Sequence, residues 1–280
     1  MKRFHADLGL LAVAVIWGAT FPVVKLALNF VSPLAFNSVR FLLTSFLFVP
    51  FLRLKELRAG VIIGTATFFG YLFQTVGLQY TTSTNAGFIT SAYIVLTPLV
   101  AFLLYSERIQ KIDVVSVFLA MSGIYLLSGA GELKIGDVLM LMCALAFAFE
   151  IVLIGRYSRS LDILSLAGWQ VVTVGAFSSV PAAFTTERFE INSYVVFALA
   201  LTGFLATFAA KIIQNKMQAY TESVDAGIIL SMEGLFAHIF GVMFMNESLT
   251  FLQYGGVLLL MIALILITAV KNQKNMFSEF

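Results

Sequence analysis

Apolar residues run along this chain in ten long stretches that are separated by short polar breaks. Each stretch is long enough to cross the hydrocarbon core of a bilayer as an α-helix, which takes about 20 residues. The stretches are about twice the length of a barrel strand and do not alternate with a period of two, so they do not indicate strands. The predicted spans are residues 8–28, 33–52, 60–79, 85–105, 112–129, 136–155, 163–184, 194–215, 224–245 and 251–270.

The composition supports a membrane protein and excludes a water-soluble one. Of the 280 residues, 60% are hydrophobic and 11% are charged, whereas soluble domains have roughly 45–50% and about 25%. Ten spans with their loops use nearly the whole chain, which leaves no room for a soluble catalytic or nucleotide-binding domain. The sequence therefore predicts an all-α integral membrane protein.

The distribution of Lys and Arg predicts that both termini are cytoplasmic. If the N-terminus is placed inside, twelve of the seventeen basic residues fall on the inner side and two, Lys134 and Arg188, on the outer side. The other three lie within spans. Such an excess on the cytoplasmic side is the usual determinant of orientation, and we expect a multi-pass protein of the plasma (inner) membrane.

The two halves of the chain share a sequence motif. Residues 80–91 reappear at 220–231 with seven of twelve positions identical, and the same offset of 140 aligns Glu107 with Glu247. An offset near 130 aligns Asp7 with Asp137 earlier in each half, and a longer loop around 185–190 accounts for the difference. We predict a first five-helix repeat over residues 1–130 and a second over 131–280.

Five spans per repeat place the second repeat in the membrane upside down relative to the first. Inverted repeats are typical of secondary transporters, because exchanging the conformations of two equivalent halves gives an inward-open and an outward-open state. A duplicated structural membrane protein is the alternative interpretation.

Several short motifs resemble those of the drug/metabolite transporter superfamily, in its EamA-like branch. They are Trp-Gly-Ala-Thr-Phe at 17–21, Arg-Phe at 40–41, Gly-Leu-Gln-Tyr at 77–80, Asn-Ala-Gly-Phe-Ile at 85–89, Thr-Pro at 97–98 and Glu-Arg at 107–108. The resemblance implies a ten-helix inner-membrane permease with a central cavity, often a metabolite exporter. One position departs from the pattern: the second half of the family usually has Glu-Pro where this chain has Glu233-Gly234, so a proline-dependent pivot is in doubt.

Charged residues inside the spans are the main candidates for a binding site, because each costs at least ~2.5–3.5 kcal/mol near the bilayer centre. Glu233 lies nearest the midplane, as either a substrate or proton site or a structural partner of Lys211. Arg40 shares a polar helix face with Asn37 and Thr44, and its guanidinium suits a carboxylate or phosphate. Glu150 either lines the cavity or reaches the cytoplasmic interface, and Lys211 either pairs with Glu233 or reaches that interface.

Uncharged polar and aromatic residues at similar depths complete the predicted lining. Tyr71, Gln74 and Tyr93 align at the offset of 140 with Lys211, Gln214 and Glu233. Trp17 could stack on a substrate or serve as packing. Lys25 is expected to reach an interface along its apolar stem. The predicted cavity-lining residues are Trp17, Arg40, Tyr71, Gln74, Tyr93, Glu150, Lys211 and Glu233, with Glu233 and Glu150 as proton-coupling candidates.

These features together predict a secondary transporter for small polar or amphipathic metabolites, with amino acids as the favoured class and export as the favoured direction. A broad-specificity drug or cation exporter is the main alternative, followed by an exchanger of phosphorylated metabolites or nucleotide sugars. An enzyme is not indicated, because the common hydrolase and zinc motifs do not occur. Two His and one Cys predict no metal or cofactor, and a net charge of +2 does not indicate nucleic-acid binding.

Overall fold

The described part of the chain folds into helices joined by short connections. The computed structural model describes residues 3–130, 134–184, 188–220 and 223–278, with side chains except at 3, 223–225, 264 and 267–278. The first half contains α1 (Arg3–Ala27), α2 (Pro33–Phe48), α3 (Leu54–Gly77), α4 (Ser83–Thr90), α5 (Tyr93–Tyr105) and α6 (Lys111–Leu127). The second contains α7 (Ile135–Tyr157), α8 (Ile163–Ala183), α9 (Ser193–Ala200), α10 (Ala210–Gln218), α11 (Ser223–Ser231), α12 (Glu233–Met245) and α13 (Phe251–Ser278).

Helices occupy all ten predicted spans. A π-helix (Leu201–Ala209) joins α9 to α10 in the eighth span, while α4 with α5 and α11 with α12 form the fourth and ninth. Eight of the spans in the described residues are long and apolar enough to cross a bilayer. The fifth, α6, has 17 residues, and the tenth contains the shorter apolar segment Phe251–Ala263.

Equivalent spans of the two halves pack against each other. Helix α2 contacts its equivalent α8, and α6 contacts its equivalent α13. In the equivalent fourth and ninth spans, α4 contacts α12 and α5 contacts α11. At the crossing of the fourth and ninth spans, the Ser91 hydroxyl lies 2.8 Å from the carbonyl oxygen of Ser231, its repeat equivalent 140 positions later. A contact between equivalent residues is expected where a pseudo-twofold axis passes. The arrangement confirms the predicted all-α membrane fold of two inverted halves.

The fourth and ninth spans are broken at equivalent positions, which the sequence did not predict. The first break lies between α4 and α5 at Ser91 and Ala92, and the second separates α11 from α12 at Met232. The Ser91 hydroxyl lies 2.8 Å from the Gly87 carbonyl oxygen, and the Ser231 hydroxyl donates to the Ile228 carbonyl. Serine side chains that bind the preceding turn compete with the helix backbone and bend it.

Glycines allow α12 to approach its neighbours closely. A Cβ on Gly18 would lie 2.4 Å from the Cβ of Phe236, and a Cβ on Gly234 would lie 2.7 Å from the Ser91 Oγ. Gly234, at the position where the family pattern has proline, therefore serves close packing at the crossing. The proline-dependent pivot that the resemblance suggested has no counterpart at this position.

Of the longer loop predicted at 185–190, residues 185–187 lie outside the described residues. The remainder pairs with the connection between α1 and α2. Val31 and Phe189 form an antiparallel bridge, and the Ser32 N–H donates to the Arg188 carbonyl. These bonds join the two halves at one face of the membrane.

Candidate substrate cavity

All eight predicted site residues line one cavity in the centre of the helix bundle. It lies where α1, α2, α3, α5, α7, α10 and α12 meet. The residues shared with the prediction are Trp17, Arg40, Tyr71, Gln74, Tyr93, Glu150, Lys211 and Glu233, and the additional ones are Thr20, Phe21, Phe147, Ile151 and Gln214. The repeat equivalents Tyr71 and Lys211, Gln74 and Gln214, and Tyr93 and Glu233 are all among them, so both halves contribute matched positions.

The cavity is closed around very little space. It offers about 20 Å³ to the centres of water molecules, whereas one water requires ~10–15 Å³. In this conformation the cavity has room for about one water molecule. A metabolite would enter only after the surrounding helices separate.

Two of the four charged residues that line the cavity form an ion pair with each other. The Lys211 Nζ lies 2.5 Å from the Glu150 Oε1, and the two side chains are 1% and 2% exposed. The Thr67 hydroxyl donates to the same carboxylate oxygen (2.7 Å), and Lys211 also donates to the Gln214 Oε1 (3.1 Å). The considered pairing of Lys211 with Glu233 is wrong, and so is the alternative that Lys211 or Glu150 reaches the cytoplasmic interface.

Arg40 is buried between aromatic rings and has no carboxylate partner. Its guanidinium carbon lies 4.8 Å from the ring centroids of Phe41 and of Tyr71, and its Nε donates to the Thr207 hydroxyl (2.9 Å). Among the described residues no carboxylate forms an ion pair with it. The Tyr71 side chain is also within reach of the guanidinium, and the donors that neither Tyr71 nor Thr207 takes are available to a ligand.

Glu233 begins the second half of the broken ninth span. Its side chain is 3% exposed, and it forms neither an ion pair nor a hydrogen bond of normal geometry within the described part of the chain. The Tyr93 side chain lies beside it, and Lys211 is near enough to interact with its charge. The Tyr93 hydroxyl makes no hydrogen bond of normal geometry to another described residue. Tyr93 begins α5 as Glu233 begins α12, so two helix N-termini lie at the cavity.

Trp17 and Lys25 each donate to backbone carbonyls of the protein. The Trp17 indole N–H donates to the Ala206 carbonyl of the π-helix (2.9 Å), and its ring lies 5.0 Å from the Lys211 Nζ. Its ring therefore already contacts a charge of the protein. The half-buried Lys25 lies outside the cavity lining, and its ammonium donates to the carbonyls of Leu78 and Thr81 at the end of α3.

Sequence reasoning missed several residues that hold the site in place. Thr67 and Thr207 each bind a charged side chain of the cavity, and neither shows a signal that separates it from other threonines in spans. Gln214 is recognisable through its alignment with Gln74. The apolar Phe147 and Ile151 are indistinguishable in sequence from residues that face lipid.

The comparisons with known proteins agree with this architecture. The model of the EamA-like transporter family matches twice, at residues 5–129 and 134–269. A protein of Archaeoglobus fulgidus named "Uncharacterized transporter" is 52% identical over 268 residues, which cover 96% of this chain and 87% of that protein. A protein of Salmonella typhimurium named "Probable amino-acid metabolite efflux pump" is 24% identical, with 94% of each chain covered.

A solved crystal structure has the same fold, with a TM-score of 0.72, 14% identity, and coverage of 97% of this chain and 99% of that one. Two inverted five-helix halves around a closed polar cavity define a multi-pass membrane transporter for small molecules. This chain belongs to the EamA-like transporter family. The predicted family is therefore confirmed, as is the prediction that the protein is a transporter and not an enzyme.

Proposed function

We propose that this protein is a secondary carrier that exports small zwitterionic metabolites, amino acids first among them, by alternating access. The observation that carries the proposal is the presence of two unpaired charges of opposite sign, Arg40 and Glu233, in one buried cavity. The other two charges of the cavity, Glu150 and Lys211, neutralise each other.

The charge balance favours a substrate with one charge of each sign. Arg40 can bind a carboxylate through two parallel hydrogen bonds, and Glu233 can accept from an ammonium group. A zwitterion bound in this way leaves every charge in the cavity paired. A simple cation or anion would leave Arg40 or Glu233 without a partner, and an unpaired charge inside a membrane is costly.

The remaining cavity residues have supporting roles. Tyr71, Gln74 and Tyr93 offer hydroxyl and amide groups to the polar parts of a substrate, and Trp17 contributes an apolar wall. If transport is coupled to protons, Glu233 is the better acceptor of the two candidates, because Glu150 is held by Lys211 and Thr67. The name of the Salmonella typhimurium relative supports amino acids as the substrate class.

The orientation completes the proposal. With both termini in the cytoplasm of the plasma (inner) membrane, twelve basic residues lie on the inner side and two on the outer side. Reporters that fluoresce only in the cytoplasm, fused to each terminus, test this directly. Fluorescence from both fusions is expected, and a dark fusion at either terminus contradicts the orientation.

Counterflow of labelled amino acids in proteoliposomes tests the substrate class. Competing analogues each remove one charge: a methyl ester removes the carboxylate charge, and an N-acetyl derivative removes the ammonium. The proposal expects the parent amino acid to compete and both derivatives to fail. Competition by esters and amines would favour the cation exporter, and competition by N-acetyl or phosphorylated compounds would favour the anion exchanger.

Variants assign the two charges to the two substrate groups. Arg40→Met should abolish counterflow of the zwitterion, with the exposed Arg159→Met as the matched control. Glu233→Gln should do the same, with the exposed Glu190→Gln as its control. If the Arg40 and Glu233 variants transport as well as their controls, these residues do not bind the substrate.

A further inference from the structure

The ends of the fourth and ninth spans form the same backbone turn on opposite faces of the membrane. Ser106 follows the end of α5 and Asn246 follows the end of α12. These two residues are 140 positions apart, and both have left-handed backbone angles, with φ of 56° and 51°. A left-handed residue that follows a helix reverses the chain direction. In both halves the next residue is a glutamate, Glu107 or Glu247.

On one face this glutamate caps a helix of the other repeat. The Glu247 Oε1 accepts the Ser83 N–H (2.8 Å), and its Oε2 accepts the Thr84 N–H (2.9 Å). These N–H groups belong to the first turn of α4, where they have no partner within the helix. Two charge-assisted bonds to a positive helix end hold the far end of α12 against the start of α4.

On the other face the equivalent contact is absent from the described part of the chain. Glu107 is exposed and takes part in no hydrogen bond or ion pair among the described residues. Its counterpart target is the start of α11, where the backbone N–H groups of Ser223 and Val224 correspond to those of Ser83 and Thr84. The same turn is therefore built on both faces, and of the two carboxylates only that of Glu247 is bonded within the described residues.

Packing between the half-helices shows the same asymmetry. Near the Glu247 face, a Cβ on Gly87 would lie 3.2 Å from the Gly234 Cα. Toward the Glu107 face, the equivalent Gly227 meets only the side chain of Ile94. An apolar cavity of about 170 Å³ lies at the crossing itself and is lined by residues of both breaks. On the Glu247 side the half-helices meet backbone to backbone, whereas on the other side the Ile94 side chain lies between them.

We propose that Glu247 and Glu107 are reciprocal latches, each of which caps the first half-helix of the other repeat when its own face of the transporter is closed. The inference rests on the alternating access of the proposed function. This structure has the Glu247 latch engaged and the Glu107 latch released. Exchange of the two halves' conformations releases Glu247 from α4 and brings Glu107 onto the start of α11.

Two pairs of spin labels at repeat-equivalent positions measure one distance across each face of the full-length protein in proteoliposomes. Tyr80→Cys with Ser248→Cys reports the Glu247 face, and Tyr220→Cys with Arg108→Cys reports the Glu107 face. All four positions are exposed. The buried Cys143 is replaced by alanine, so that only the introduced cysteines react.

Removing one latch should favour opening of its own face. Glu247→Gln is expected to raise the ratio of the population open at the Glu247 face to the closed one by roughly two- to thirty-fold, the range for loss of a helix cap. Adding Glu107→Gln to this variant should reverse the shift. Glu190→Gln removes an exposed carboxylate as the matched control and should leave both distances unchanged.

A second variant weakens the cap without touching the glutamate. Ser83→Pro deletes one of the two N–H groups that Glu247 accepts and leaves that of Thr84, and proline is well tolerated at the first position of a helix. It should shift the populations in the same direction as Glu247→Gln by a smaller factor, and Ser223→Pro should do the same in the direction of Glu107→Gln.

Opposite shifts by the two glutamate variants support the latches. No shift, or shifts in the same direction, overturns them, provided that substrate still moves both distances. If adding substrate changes neither distance in any variant, alternating access itself is overturned, and the latches with it.

Discussion

The buried pair of Glu150 and Lys211 offers a quantitative test of the cavity geometry. At the Nζ–Oε1 distance of 2.5 Å, an effective dielectric constant of ~20 gives an attraction of about 7 kcal/mol. Desolvation of the two charges offsets most of this attraction. Removing one partner loses the attraction but leaves the other charge buried, so Lys211→Met and Glu150→Gln should each cost ~3–5 kcal/mol of unfolding free energy.

The double variant should recover much of this loss, because neither buried charge is then left. The Thr67 hydroxyl can still donate to the side-chain carbonyl of the introduced glutamine. We therefore expect a coupling energy of about 2 kcal/mol or more between the two positions, which is within the range for residues in contact. Equilibrium unfolding of the purified protein in mixed SDS micelles measures all three values.

A surface ion pair provides the matched control. An Nη atom of Arg188 lies 2.8 Å from the Glu190 Oε1, and the two side chains are 59% and 55% exposed. Arg188→Met and Glu190→Gln should each cost at most ~1 kcal/mol, because water already solvates both groups. The reasoning is refuted if the buried substitutions cost no more than the surface ones, or if the double variant costs the sum of its two members.

Three further predictions follow from other contacts. Glu233→Asp, which keeps a carboxyl group at this position, should retain counterflow but shift its pH profile; an unchanged profile would exclude Glu233 as the proton carrier. Gly18→Ala should destabilise the protein by ~1–3 kcal/mol, because the new Cβ would lie 2.4 Å from a side chain of α12. Gly255→Ala is the control and should be neutral, because the atom nearest to its new Cβ is 3.9 Å away. Equal melting temperatures of the two variants would contradict this prediction. Trp17→Phe should cost ~0.5–1.5 kcal/mol through loss of its partly buried indole hydrogen bond. Trp169→Phe, whose indole bond is exposed, should cost less in the same thermal assay.

The membrane spans and the repeat were predictable because they depend on local properties of the sequence. The length of an apolar run is fixed by the thickness of the bilayer. The repeat is recognisable because residues 220–231 keep most of the residues found at 80–91. The breaks at Ser91 and Met232 were not predictable. They coincide with serine hydroxyls that bond to the preceding turn, but Ser45 and Ser179 make the same bond within unbroken helices.

The members of the cavity were predictable from depth, but their pairing was not. Lipid excludes polar groups, so charged residues far from the span ends must face protein or water. Depth gives one coordinate only, and the partner of a charge depends on which helices are neighbours. Lys211 on α10 meets Glu150 because α10 packs against α7, whereas Glu233 lies at a suitable depth on a different helix.

The π-helix at Leu201–Ala209 has a consequence for the order in which the protein assembles during synthesis. Long π-helices are rare, and such a segment needs support from its surroundings. Here the support comes from the Trp17 indole and the Arg40 guanidinium, with the Thr44 hydroxyl 3.2 Å from the Gly203 carbonyl oxygen. All three residues leave the ribosome well before the eighth span, so the N-terminal repeat acts as a template on which the C-terminal repeat takes its final shape.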